Sequence, residues 1–347
     1  MEEMRLFLAD IWYVLVGLII ALYVILDGFD LGVGVLSLFS RSERRRAMMM
    51  TSLATVWDAN EVWLVIAGGS LFGAFPAVYS LLLSALYIPV VLLVVGLIFR
   101  GIAFEFRGHS RRRRLWSASF GVGSLVASAA QGCILGGMLG GIRIDRLGRF
   151  AGGPFDWATP FTGAIVVGVV AGYAMLGSTY LILKSRGAAQ QAARVWAQVS
   201  AVLTFGAAAA TTIALPFMQV AVGEKWLSSP DRYYLFSISV VSTGAFFMLL
   251  HSLRSRHGHE LSPFLWSLLI FALALGGLWV GIYPDFIPGT LGVGQAAASA
   301  KTLVFMLTGI GFLIPIIIVY NGYMYVVLRG KVGEEETDED ADYNDWD

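Results

Sequence analysis

Runs of apolar residues long enough to cross a bilayer recur nine times along the chain, and they constrain its fold more than any other feature. A membrane-spanning helix needs roughly 20 such residues, because lipid offers backbone N–H and C=O groups no partner outside the helix itself. Divided at charges, glycines and prolines, the runs fall at about 11–39, 48–74, 77–104, 115–139, 160–183, 197–221, 233–253, 263–283 and 302–328. The expected fold is an all-α polytopic membrane protein with about nine transmembrane helices. Composition agrees, with 57% of the 347 residues hydrophobic and 14% charged. The first run is too long, and too acidic near its end, for a cleavable signal peptide, so it is expected to remain in the mature chain.

The formal net charge of zero conceals two unlike parts. Nine of the 24 acids lie in "GEEETDEDADYNDWD", 333–347, so that the tail is −9 and the remaining 24 basic and 15 acidic residues make the body +9. The chain thus divides into a transmembrane domain, 1–332, and an acidic tail, 333–347. A tail of this composition is expected to be solvated. The basic body suits a protein facing an anionic leaflet.

Basic residues also orient the spans, because Lys and Arg concentrate in short cytoplasmic loops. Loops after odd-numbered spans hold Arg41, Arg44 to Arg46, Arg100, Arg107, Arg111 to Arg114, Lys184, Arg186, Arg194, Arg254, Arg256, Arg329 and Lys331, which makes 17. The opposite side holds Arg5, Arg143, Arg146, Arg149, Lys225, Arg232 and Lys301, which makes 7. This asymmetry predicts an outside N-terminus and a cytoplasmic C-terminus. Small residues four apart, Gly28/Gly32, Gly69/Gly73 and Gly132/Gly136/Gly140, are expected where helix backbones approach closely. Comparison of the first four spans with the next four shows no convincing internal repeat.

Four acids lie inside the spans: Asp27 and Asp30 in the first, Asp58 and Glu61 in the second. Treating each span as one helix with a 1.5 Å rise puts the first pair roughly 14–18 Å and the second roughly 15–20 Å from the cytoplasmic end. The pairs are therefore expected at matching depth, each with its members three apart on a shared face. A carboxylate at mid-membrane costs about 2.5–3.5 kcal/mol, so the four must face protein, water or each other. Two readings stand. The acids accept and pass protons from the cytoplasmic side, or they cap polar networks that glue helices together, with Trp57, Asn60 and Trp63 as donors and Arg100 as a counter-charge.

Other chemistry lacks its residues. Haem, copper or iron held within the bilayer requires His, Met or Cys on facing helices. His109, His251, His257 and His259 lie in or beside basic loops, so no metal or haem ligation by this chain is expected. The single cysteine, Cys133, excludes an internal disulfide. "GVG" at Gly32 and "GIG" at Gly309 lack the flanks of a phosphate-binding fingerprint. The basic loops follow the topology without aromatic interleaving, which argues against nucleic acid.

"LDGFDLGVG" from Leu26, "VWDANEVWLVIAGGSLFGAFPAVYS" from Val56 and "FRGIAFEFR" from Phe99 together resemble subunit II of the bacterial cytochrome bd-type quinol oxidases. "TPFTGAIVVGVVAGYAMLGSTYL" from Thr159 and "YPDFIPGTL" from Tyr283 extend the resemblance more loosely, in order, over nearly the whole chain. "WDANEVWL" is most similar to the cyanide-insensitive branch. The resemblance implies two four-helix bundles plus a peripheral helix, in the bacterial cytoplasmic (inner) membrane. It implies a heterodimer with a subunit I that carries haem b and haem d, sometimes with a small single-span accessory subunit. That complex oxidises quinol and reduces oxygen to water with protons from the cytoplasm, and some members hold a structural quinone in subunit II. It also implies a proton path to which the "WD" acid, here Asp58, contributes. Trp57, Asp27, Asp30 and Arg100 stand on family motif positions too, whereas the acidic tail departs from the pattern.

Outside the resemblance, the acid cluster also fits a stand-alone proton-coupled transporter. Transporters of that kind use broken helices, a polar midplane site and repeats. Here polar character is confined to one depth on two helices, which favours the oxidase subunit. A purely structural scaffold is the third reading, since the chain has no redox centre of its own.

Overall fold

A computed structural model describes residues 2–254, 260–327 and 330–332. The acidic tail, together with Arg256, His257, His259 and Arg329, lies outside the described residues. Helices α1 (Glu2–Ser37), α2 (Glu43–Thr51), α3 (Trp57–Ala74), α4 (Pro76–Ala85), α5 (Tyr87–Arg107), α6 (Arg113–Gly140) and α7 (Pro160–Lys184) make up the first half. They are followed by α8 (Gly187–Met218), α9 (Val220–Leu227), α10 (Asp231–Arg254) and α11 (Leu261–Ile282). An antiparallel pair, β1 (Asp285–Ile287) and β2 (Leu291–Gly292), then leads through α12 (Val293–Ala296) to α13 (Ala300–Val327). Among the described residues, 8 helices are each long and apolar enough to cross a membrane, and α3 with α4 makes a ninth candidate bent by 117°.

That bend corrects the sequence reading of the second and third runs. The run 48–74 is not one helix: α2 ends where the Ser52 hydroxyl donates to the Met49 carbonyl at 2.7 Å, and α3 begins only at Trp57. The run 77–104 divides at Leu86 into α4 and α5. Prolines stand at both ends of α4. Pro76 has no N–H and its ring excludes a helical Phe75, so α3 stops and α4 restarts with proline in its first turn. Pro89, in the first turn of α5, lacks the N–H that would reach back to the Ala85 carbonyl at the end of α4, so the two helices do not run on as one. Because the depth estimate assumed a continuous second span, it must be redone: Asp58 and Glu61 lie in the opening turns of α3.

Helices α1, α3, α5 and α6 surround one polar centre, α7, α8, α10 and α11 form a second bundle, and α13 lies against α1 and α3. Helix α1 joins the two halves through α7. Their contact depends on paired glycines: a Cβ on Gly32 would sit 1.7 Å from the Tyr173 carbonyl oxygen, and one on Gly177 would sit 2.4 Å from the Val33 nitrogen. Of the stripes expected from sequence, Gly28, Gly32, Gly73, Gly132 and Gly136 meet a neighbouring helix, whereas Gly69 and Gly140 face open space. Spacing alone could not separate these, because both faces of a membrane helix are apolar. A second close crossing, Gly96 against Gly123, was not expected; it brings α5 and α6 together beside Arg100.

Candidate functional site: a buried carboxylate–guanidinium cluster

Helix α1 presents Asp27 and Asp30 to the interior at 0% and 1% exposure, ten and seven residues before its end at Ser37. At 1.5 Å per residue this is roughly 10–15 Å from the arginine-bearing end of the molecule. Helix α5 carries Arg100 to the same level, fully buried in the bundle, so it belongs to the site and not to the loop in which its charge was first counted. Its Nη1 donates to Asp27 Oδ1 at 2.6 Å and its Nη2 to Glu61 Oε2 at 3.1 Å. One guanidinium thus bridges α1 and α3.

Asp30 has a different partner. The Asn60 amide Nδ2 donates to Asp30 Oδ2 at 2.8 Å and to the Leu26 carbonyl at 3.3 Å, while its Oδ1 accepts from the Tyr325 hydroxyl at 2.8 Å. Asn60 therefore fastens α13 to α1 through α3. Three buried atoms of the cluster, Asp27 Oδ2, Asp30 Oδ1 and Arg100 Nε, lack a hydrogen-bond partner. Three carboxyls share one cation, so full ionisation would leave excess negative charge in a medium that opposes it.

The remaining expected residues divide. Asp58 is exposed on the outer face of α3, apart from the buried acids. Its i,i+3 relation to Glu61 leaves about 60° between the two around the helix, enough to turn one outward. Trp57 stacks on Phe104, with ring centroids 5.0 Å apart, and Trp63 is buried with its indole N–H unpartnered. Neither donates to a carboxylate as the sequence reading expected. Four residues were missed. Tyr325 completes the Asn60 bridge, and Gln131 links Tyr23, to which it donates at 2.8 Å, with Tyr173, from which it accepts at 2.5 Å. Tyr23 stands one turn before Asp27, so this triad backs the cluster from α6 and α7. Gln131 in the middle of an apolar run was the available signal.

At the arginine-bearing end, α2 closes the bundle. Glu43 accepts from Arg46 at 3.1 Å, from Arg107 at 3.3 Å and from the Ser117 hydroxyl. Burial pushes its carboxyl up, but these hydrogen bonds and the Arg107 charge outweigh burial and hold it below the usual carboxylate range. The described histidines, His109 and His251, are exposed at helix ends. Among the described residues no group of three or more His, Cys, Asp or Glu could hold a metal ion.

Comparisons with known proteins identify the family and the fold. Residues 8–328 match the family described as cytochrome bd terminal oxidase subunit II. The chain is 28% identical over 365 residues to cytochrome bd-I ubiquinol oxidase subunit 2 of Escherichia coli K12, covering 94% of this chain and 95% of the relative. It is 26% identical over 345 residues to cytochrome bd ubiquinol oxidase subunit 2 of Bacillus subtilis 168, covering 95% and 98%. The fold resembles the solved bd oxidase from Geobacillus thermodenitrificans, with a TM-score of 0.70 at 21% identity over 92% of this chain and 98% of that one. Family, fold and membrane-spanning helices together make this a multi-pass protein of the bacterial inner membrane. The chain belongs to the cytochrome bd terminal oxidase subunit II family.

Proposed function

We propose that this chain supports a haem-bearing subunit I and gives it a proton path that starts at the arginine-bearing, cytoplasmic end. The complex would oxidise two quinols for each oxygen, releasing two quinones and two waters. Four protons must reach the oxygen, and the haems b and d that reduce it belong to the partner. A quinone lodged in this subunit and a small accessory subunit follow from the family resemblance, and no residue here is assigned to either.

The observation that carries the reading is one guanidinium shared by Asp27 and Glu61, with Asp30 on a neutral amide and two carboxylate oxygens unpartnered. A cluster built only as glue would satisfy every oxygen, because each orphan costs about 1–3 kcal/mol. A cluster that takes up and releases a proton must leave an oxygen free in one of its states. Asp58, exposed at the start of α3, takes the proton. Glu61, one turn further and 26% exposed, receives it. Arg100 then shifts its hydrogen bonds between Glu61 and Asp27, and Asn60 holds Asp30 level with both.

The test is Asp58→Asn in the purified complex. Haem absorbance should show normal assembly while quinol oxidase turnover falls by tenfold or more, on the order of one lost proton-transfer step. Wild-type turnover in a fully assembled variant would refute the role of Asp58.

A further inference from the structure

Beyond the cluster, on the side away from the arginine-bearing end, four more buried polar atoms have no hydrogen-bond partner: Trp63 Nε1, Ser70 Oγ, and both Nδ2 and Oδ1 of Asn321. Their residues are 1%, 0% and 6% exposed. They are not scattered. The buried stripe of α3 reads Asn60, Trp63, Ala67, Ser70 and Ala74, one face at helical spacing. On α13, Asn321 lies one turn before Tyr325, whose hydroxyl meets Asn60 at the lower end of that stripe. The two helices run antiparallel, since Gly73 near the other end of α3 meets Met306. Asn321 therefore faces the stripe at the level of Trp63. Trp63 packs with Ile19 and Tyr23 of α1 and Ile314 of α13, and Ala67 leaves only a methyl between the indole and Ser70.

A buried amide with neither donor nor acceptor used, beside an indole N–H and a hydroxyl in the same condition, calls for a small polar ligand able both to donate and to accept. Water is that ligand in folded proteins, held where two to four polar groups converge. We propose that α1, α3 and α13 hold a file of ordered water bound by Trp63, Asn321 and Ser70 and continuous with the free oxygen of Asp30. Protons leave the cluster along this file, away from the arginine-bearing end, on their way to the oxygen reduced in subunit I. From Asn60 to Ser70 it spans about 15 Å. Each hop breaks one O–H bond and forms one: the Asp30 carboxyl, reprotonated from Glu61, gives its proton to the first water, each water accepts one proton as it passes another on, and the last proton ends in the water formed from oxygen in subunit I. Trp63 and Asn321 orient the waters without exchanging protons with them. The binding stands on the orphaned atoms alone, and its use in transfer rests on the proton-path reading above.

A high-resolution cryo-EM map of the intact oxidase tests the binding. Water density within hydrogen-bond distance of Trp63 Nε1, Asn321 and Ser70 is expected. A dry interface, an acyl chain or a quinone headgroup there would overturn it. The transfer role is tested in Asn321→Leu, with Ser70→Ala as the milder variant. Haem content should be unchanged, and turnover should fall about tenfold in the first and less in the second. Wild-type turnover in an Asn321→Leu complex whose map has lost the waters would overturn the relay. If Asp58→Asn alone keeps wild-type turnover, the entry point of the proposed path fails while the water file stands.

Discussion

Replacing Arg100 by Gln removes the one cation that pairs with Asp27 and Glu61 among the described residues, and the structure sets the size of the effect. Asp27 is fully buried and, Arg100 apart, meets the neutral Tyr23 hydroxyl, so it bears most of the cost of an uncompensated interior charge, about 3–5 kcal/mol. Glu61 is 26% exposed and adds less, since solvent screens it. The expected loss for Arg100→Gln is therefore about 3–5 kcal/mol, dominated by Asp27. Asp27→Asn alone should cost less, because Arg100 keeps Glu61. Asp27→Asn with Arg100→Gln should recover most of the loss, because the charge at the fully buried Asp27 is gone and Glu61 is partly screened by solvent. The assay is thermal inactivation of the purified complex, read as a half-life at fixed temperature, since large membrane complexes unfold irreversibly. An Arg100→Gln complex as durable as wild type, or a double variant no better than the single one, would refute the assignment of Arg100 as the counter-charge.

Other expectations follow from single contacts. Tyr325→Phe removes the donor to Asn60 Oδ1 and should lower stability by about 1–3 kcal/mol, with a loss of turnover that Asn60→Asp does not repair. Gly32→Ala places a methyl 1.7 Å from the Tyr173 carbonyl, so assembled complex should fall sharply on a native gel, whereas Gly69→Ala, which meets nothing, should assemble normally. Glu43 is held below its ordinary 4.5, so its stabilisation is present above that pH and is lost as pH falls through the lower folded value. Glu43→Gln should therefore flatten the acid limb of the stability profile and leave the profile near neutral pH parallel to wild type.

Much of this fold could be read from apolar run length, because the bilayer imposes a period that composition displays directly. The breaks were less legible for two different reasons. Pro76 and Pro89 were visible but stood inside continuous apolar sequence, whereas 52–56 contains neither proline nor glycine to mark the end of α2. The argument against a transporter, that polar character is confined to one depth on two helices, loses force because such transporters use broken helices and α3 and α4 are one broken pair; family membership decides instead. Within the site, depth counting expected Asp27, Asp30, Asp58 and Glu61 at one level; in the structure Arg100 joins Asp27 to Glu61, Asn60 holds Asp30, and Asp58 turns outward. It could not orient Asp58, since a turn of 60° decides between core and surface. Nor could it identify Tyr23, Tyr173 and Tyr325 as polar partners, because a tyrosine in a span counts as an aromatic until its hydroxyl is located.

The central claim is that protons for oxygen reduction enter through this chain from the arginine-bearing side. The direct measurement uses proteoliposomes with a pH dye confined to that side, given a pulse of oxygen. Wild-type complex should consume protons there in step with electron transfer, and Asp58→Asn should lag by about tenfold at equal haem content. Equal rates in the two, or uptake from the opposite side, would contradict the account.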